Sequence, residues 1–204
     1  MPDKKNYSAA VGVDKMYYAL ITTDSPIETG EIEDVDFVQT IGVEMPQEVQ
    51  RAYGSDKTAE VAVSSGDVNV TGAFHKLPLE DRQRLLGLET VEGLTSYGSE
   101  DNPPYVAVIF AKNNADGSKE WVGLTKGMFT RPNINAQTKE GSTTFQNDEI
   151  SGAFMDRKVE GFSKDKIVIS GFDKKGETTK RDALFQSVFG KPFPGSSTGG
   201  GVEG

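Results

Sequence analysis

The sequence contains no cysteine, one histidine and one tryptophan. Without cysteine there are no disulfides, no thiolate metal sites and no cysteine nucleophile. A lone imidazole, His75, excludes a histidine-rich metal site within one chain. Long apolar runs are missing too. None reaches the roughly 18–20 residues that span a bilayer, so no membrane partner is expected. The opening MPDKKNYSAAVGVDK lacks the apolar stretch of a secretion signal, which sets the expected location as a cytoplasm. Apolar residues make up 35% of the 204 and the mean hydropathy is −0.47, low for a globular domain. In a β-rich chain that share points to a thin core, or to sheets completed by neighbouring subunits. Positive charge is also scarce, with 22 Lys and Arg against 31 Asp and Glu, a net −9 and a pI near 4.7. Affinity for nucleic acid comes largely from cations that neutralise phosphates. Duplex DNA near such a surface is repelled, not gripped.

What the sequence does have is a period of two. Residues 43–53 read VEMPQEVQRAY, which places Glu44, Pro46, Glu48, Gln50 and Ala52 on one face and Val43, Met45, Val49 and Tyr53 on the other. KTAEVAVSS and DVNVTGAF repeat the pattern, with Val61 and Val63, then Val68, Val70 and Phe74, on the apolar side. Such alternation describes strands with one buried and one wet face. The wet face here is plain and acidic, a surface rather than a pocket. Further strands are expected at VDKMYYALIT (13–22), EWVGLTKGMFT (120–130), TTFQNDEISGAFM (143–155) and KIVISGF (166–172). PPYVAVIFAK (103–112) is apolar throughout, as a strand buried on both faces would be. Asp116–Gly117 marks a hairpin turn after it.

Two helices interrupt the strands. LPLEDRQRLLG (77–87) has Pro78 for the first helical position, Glu80 and Asp81 in the first turn, Arg84 near the end and Gly87 as the stop. Its Leu79, Leu85, Leu86 and Leu88 are expected to pack on a sheet. Burying all four would contribute about 6–10 kcal/mol as an upper limit. RDALFQSVFG (181–190) places Leu184, Phe185, Val188 and Phe189 on one side. Neither a repeat nor an internal linker divides the chain. The expectation is a mainly β (α+β) domain, sandwich- or barrel-like, over residues 11–190. A polar N-terminal arm at 1–10 would be loose unless docked on a neighbour, and the Gly/Ser-rich tail at 191–204 would be flexible.

Catalytic chemistry finds little to work with. A Ser-His-Asp arrangement would need His75, which lies between Phe74 and Lys76 where strand gives way to helix. GFDKKGET (171–178) echoes a phosphate-binding loop, but Glu177 stands where the lysine is needed. Glu31, Glu33, Asp34 and Asp36 cluster without the alternation and glycine of a calcium loop, and read as a solvated edge. Trp121, Tyr105, Phe110, Phe129, Phe145 and Phe154 lie in strand patterns without the basic groove of a base-stacking platform, and read as core. No cofactor is expected. A scaffold that presents itself to its own copies fits better than an enzyme.

Taken in order, several segments carry a resemblance: VGVDKMYYALIT, RAYGSDKTAEVAVSSGDVNV, LPLEDRQRLLG, PPYVAVIFAK, WVGLTKGMFTRP, TTFQNDEISGAFM and ALFQSVFG. Over residues 11–190 the chain resembles the major tail proteins, or tail tube proteins, of long non-contractile bacteriophage tails. The resemblance implies a β-sandwich-like core flanked by a helix. It further implies subunits that form rings, usually hexameric, stacked into a hollow tube whose inner wall of strands surrounds the passage for genomic DNA. Implied partners are further copies, a tape-measure protein, a tail terminator and distal tail proteins, with double-stranded DNA passing without specific binding. A single-ring head–tail joining or terminator protein of related fold is the alternative.

Closing strands from neighbouring copies into one barrel also removes exposed sheet edges. On this reading Glu44, Glu48, Asp56 and Glu60 are the candidates for the channel lining, and replacing Glu44 and Glu48 by Lys should slow DNA release. The arm at 2–10 and the polar segment 131–142 are expected to bridge successive rings.

Overall fold

The computed structural model describes residues 5–54, 57–133 and 147–195, with side chains described for all of these except 52–54 and 57–61. In chain order the elements are β1 (Ala10–Asp24), β2 (Ile27–Thr29), β3 (Glu33–Val35), β4 (Val38–Glu44), β5 (Gln47–Gly54), β6 (Lys57–Ser65) and β7 (Val68–Phe74). There follow α1 (Leu79–Leu86), β8 (Thr90–Val91), β9 (Leu94–Thr95), β10 (Val106–Asn114), β11 (Lys119–Thr130), β12 (Asp148–Met155), β13 (Val168–Asp173) and α2 (Thr179–Phe189). The fold is mainly β, as the alternation requires.

Nine strands form one sheet along the path β2–β1–β10–β11–β12–β7–β4, with β3 on β1 and β13 on β11. The long strand β11 belongs to both halves of this sheet. Its residues 119–124 pair with β13, while residues 126–130 pair with β12. Between them Thr125 is fully buried, and its N–H and hydroxyl donate to the carbonyls of Ile167 and Lys166. Arg157 holds the same place from the other side. Its Nε donates to Thr125 O and its Nη2 to the carbonyls of Ser187 and Val188, at 3.2 Å each, so the guanidinium ties the strand to the end of α2. Burial pushes the Arg157 pKa down, partly offset by Asp24.

The two leaves face each other across the main core. Met16 and Tyr18 of β1 and Val106, Val108 and Phe110 of β10 meet Val68 and Val70 of β7 and Ile150 and Phe154 of β12. The alternate residues of the first leaf serve a second core. Ala19, Ala107, Ile109, Ala111 and Trp121 lie under Leu184, Phe185, Val188 and Phe189 of α2. This double service is why β10 reads as a continuous apolar run. The approach of α2 is close enough to require glycine. A Cβ at Gly123 would sit 2.8 Å from Val188 and 3.1 Å from Leu184.

The second helix begins at Thr179, two residues before the expected start. Asp173, 2% exposed at the end of β13, accepts hydrogen bonds from the backbone N–H groups of Lys180 and Arg181, both at 2.9 Å. It therefore satisfies orphan donors at the helix N-terminus. The loop resembling a phosphate cradle is a capped turn.

At the other helix Pro78 occupies the cap position rather than the first helical one, and Gly87 ends the helix with φ 61°. Leu85, Leu86 and Leu88 enter the main core, joined by Leu77. Leu79 does not. It is 50% exposed on the outward side of the first turn, while Asp81 of the same turn accepts a hydrogen bond from the Tyr18 hydroxyl at 2.6 Å. Trp121, Phe110, Phe129 and Phe154 are core residues, whereas Tyr105 is 38% exposed and Phe145 lies outside the described residues.

Candidate functional site: the bare sheet face and the arm

The second leaf buries one face and leaves the other open. Register alignment places Thr40, Gly42 and Glu44 of β4 beside Ala73, Thr71 and Asn69 of β7. Those residues stand beside Glu149, Ser151 and Ala153 of β12, which in turn neighbour Thr130 and Met128 of β11. Their partners one position along, including Val43, Val70, Gly152 and Phe129, turn inward. The outer face is therefore a field of small, mostly neutral side chains. Its carboxylates are Glu44 and Glu149. Its cation, Lys126, is engaged by Asp24 and lies over the Tyr105 ring at 4.3 Å. The surface offers phosphates nothing to hold and stacking bases no platform.

One edge of this leaf is open. Among the described residues β4 pairs with β7 alone, so its outer row of N–H and C=O groups has no strand partner. Such rows invite pairing with another chain. Just before β4, Phe37 has φ 58° and is 78% exposed. Its carbonyl accepts the backbone N–H of His75 at 3.0 Å.

Past Glu44 the ribbon leaves the body. Met45–Pro46 ends β4 and Gly66–Asp67 precedes β7, and between them β5 and β6 pair only with each other. Beyond Val43, the expected apolar face of this segment is not buried at the positions whose side chains are described. Met45 is 59% exposed, Val49 57% and Val63 59%, and Val49 and Val63 are direct cross-strand partners. No other element of the described chain covers them, so the alternation is present without a cover. The result is an arm of two strands, eight and nine residues long, whose described side chains, 47–51 and 62–65, are exposed on both faces.

These positions sort the channel-lining candidates. Glu44 lies on the bare face at its junction with the arm. Glu48 is on the arm and exposed. Asp56 lies outside the described residues, and Glu60 is described only as backbone in β6, opposite Ala52. The leaf's own Glu149 was not among the candidates. Only the register that places β12 next to β7 brings it to this face.

The N-terminal segment is docked on its own chain from Asn6 onward. Asn6 Nδ2 donates to Asp116 Oδ2 at 2.8 Å, Asp116 N–H donates to Ser8 Oγ, and Ala115 N–H donates to Ala9 O. Hydrogen bonds from Ser118 and Asn6 hold the Asp116 carboxyl down at about 2. The described start of the tail is anchored as well. Phe193 stands edge-on to Tyr17 and Phe185 with the Arg181 guanidinium over it at 3.8 Å, and Lys191 Nζ donates to Gly30 O. The segment 134–146, which includes most of the expected ring-bridging loop, lies outside the described residues.

The acidic edge is ion-paired rather than merely solvated. Lys15 lies 2.6 Å from Asp34 and 3.0 Å from Asp36, whose hydrogen bonds raise its pKa, and Arg84 pairs with Glu33. Among the described residues no group of His, Asp and Glu is placed to hold a metal, and no helix is long and apolar enough to cross a membrane. An open-edged sandwich with a bare face and a projecting arm is the form of a structural subunit.

The family comparison agrees with that class. A family model described as phage tail tube protein matches residues 41–192, and the chain belongs to this family of structural virion proteins. No curated protein matches it in sequence. A chain from the cryo-EM structure of the anti-feeding prophage baseplate is similar at 10% identity, covering 81% of this chain and 97% of that one, with a TM-score of 0.45.

Proposed function

We propose that this chain forms rings, hexameric as the family resemblance implies, which stack into the tube of a long non-contractile tail and give genomic DNA its passage into the host. The bare face of the second leaf is the channel wall. The observation that supports this reading is the chemistry of that face: Thr, Ser, Asn, Ala, Gly and the methionines Met128 and Met155, with two carboxylates and a lysine already engaged by Asp24. A DNA conduit needs a wall that excludes binding. Carboxylates within a Debye length of about 8 Å of the duplex push it off the wall. The arm reaches a neighbouring copy, which covers Met45, Val49 and Val63. Tape-measure, terminator and distal tail proteins complete the tail, and assembly takes place in the host cytoplasm.

Electron microscopy of the purified protein across concentration tests the reading. Stacked rings support it. A single ring that never stacks would turn the assignment to a joining or terminator protein, and a monomer at every concentration would end it. In phage, Glu44→Lys with Glu149→Lys should leave tube length unchanged and slow DNA release. Normal release would place the channel on another face.

A further inference from the structure

Phe37 is strained, exposed and held at a fixed angle, and its ring brings the isolated subunit little packing. Its φ of 58° lies in the left-handed region, where a bulky aromatic is strained. Its ring is 78% exposed, so the strain is not offset by burial. Its carbonyl is fixed by the His75 N–H at 3.0 Å, so the ring is carried at a set angle rather than on a loose loop. The next residue opens β4, whose outer edge has no strand partner among the described residues, and a register shift between Val38 and Thr40 bends the strand there.

The opposite side of the same leaf is also apolar at its rim. Pairing between β10 and β11 ends at Gly127, so among the described residues 128–130 have a partner on the β12 side only. Along that edge Tyr105, beneath the Lys126 ammonium, is 38% exposed and Met155, paired with Lys126, 42%, while Tyr97, 39% exposed, precedes Gly98, whose carbonyl accepts from Arg131 just past the strand end. In a ring of identical copies the two sides of a subunit differ, and one side meets the other on the next copy. A leaf with an aromatic anchor on one edge and a tyrosine and methionine rim on the other is matched to itself.

We infer that Phe37 is the anchor of the lateral contact between copies, inserting at the Tyr97–Tyr105–Met155 rim of the next subunit. The inference rests on the tube reading and adds its partner surface. A buried aromatic at the centre of a contact carries an outsized share of the binding free energy, and the strain at position 37 is kept because the bound ring offsets it.

The test separates an anchor from a structural residue by sign. Phe37→Asn places a residue that tolerates positive φ and removes the ring. The monomer's melting midpoint should stay level or rise, while the concentration for half-assembly rises at least about tenfold. Assembly at the wild-type concentration overturns the anchor and leaves the tube reading standing. A lowered midpoint accompanying lost assembly overturns it too, because Phe37 would then be serving its own subunit. Wild-type protein that stays monomeric at every concentration sinks the tube reading and the anchor together. The surface is tested by Phe37→p-benzoylphenylalanine in chains otherwise unchanged, co-assembled into tubes with wild-type copies. Photocrosslinks to the peptides holding Tyr97, Tyr105 or Met155 of another copy are expected, and crosslinks elsewhere overturn the rim.

Discussion

The sandwich body and the β5–β6 arm are built from the same kind of sequence and have opposite fates. In the body, Val106, Val108 and Phe110 enter one core while Ala107, Ile109 and Ala111 enter another, because β10 has a leaf on one side and α2 on the other. In the arm, Val49 and Val63 face each other across the hairpin and remain more than half exposed. Alternation specifies a strand and a side in need of cover. Whether the cover is in the same chain is a separate matter, decided by which elements lie within reach. Pro46 and Gly66 carry the ribbon beyond that reach.

The contrast can be broken most severely from the body. Phe185 is fully buried among Tyr17, Trp121, Phe189 and Phe193, with ring centroids 5.0–6.1 Å away. Phe185→Ala should cost about 3–5 kcal/mol of unfolding free energy, read by denaturant titration of the unassembled chain. Arg157→Ala comes next. It strands the carbonyls of Thr125, Ser187 and Val188 where strand bend meets helix end, and the same titration should show a loss of about 2–4 kcal/mol.

Val49→Thr with Val63→Thr sharpens the comparison directly. Threonine keeps the strand preference, so the monomer should change by no more than about 0.5 kcal/mol while assembly weakens. Threonine at buried Val108 should cost about 1–3 kcal/mol, since its hydroxyl finds no partner there. Equal losses at both places would mean the arm is covered within its own subunit.

Acid should produce the smallest effect. The Asp116 carboxyl titrates at about 2 instead of the usual 3.8, so its hydrogen bonds to the N-terminal segment are intact above about pH 4 and are lost as pH falls through about 2. Amide exchange at Ala115, whose N–H donates to Ala9, should accelerate across that window. Asp116→Asn should remove the pH dependence.

Much of this architecture was legible from residue patterns, and the limits have physical causes. Strands such as KTAEVAVSS and the helix stop at Gly87 follow from local rules, because periodicity and a left-handed cap are properties of a few adjacent residues. Asp173 went unread as a cap because its helix starts several residues later and the turn between decides its aim. Leu79 reads as core by a leucine count, which ignores which side of a short helix faces the sheet. The bare face was only partly visible. Glu44 could be placed by alternation, but Glu149 reaches the same surface through a strand pairing about eighty residues away in sequence, which no local pattern encodes.

One strand, β11, hydrogen-bonds to β10 along one side and to both β12 and β13 along the other. Sliding one leaf over the other would tear that strand's own backbone, so the subunit resists shear as a single block. In the proposed tube, bending would then fall to the joints between blocks, where that reading puts the arm, the open edge of β4 and Phe37.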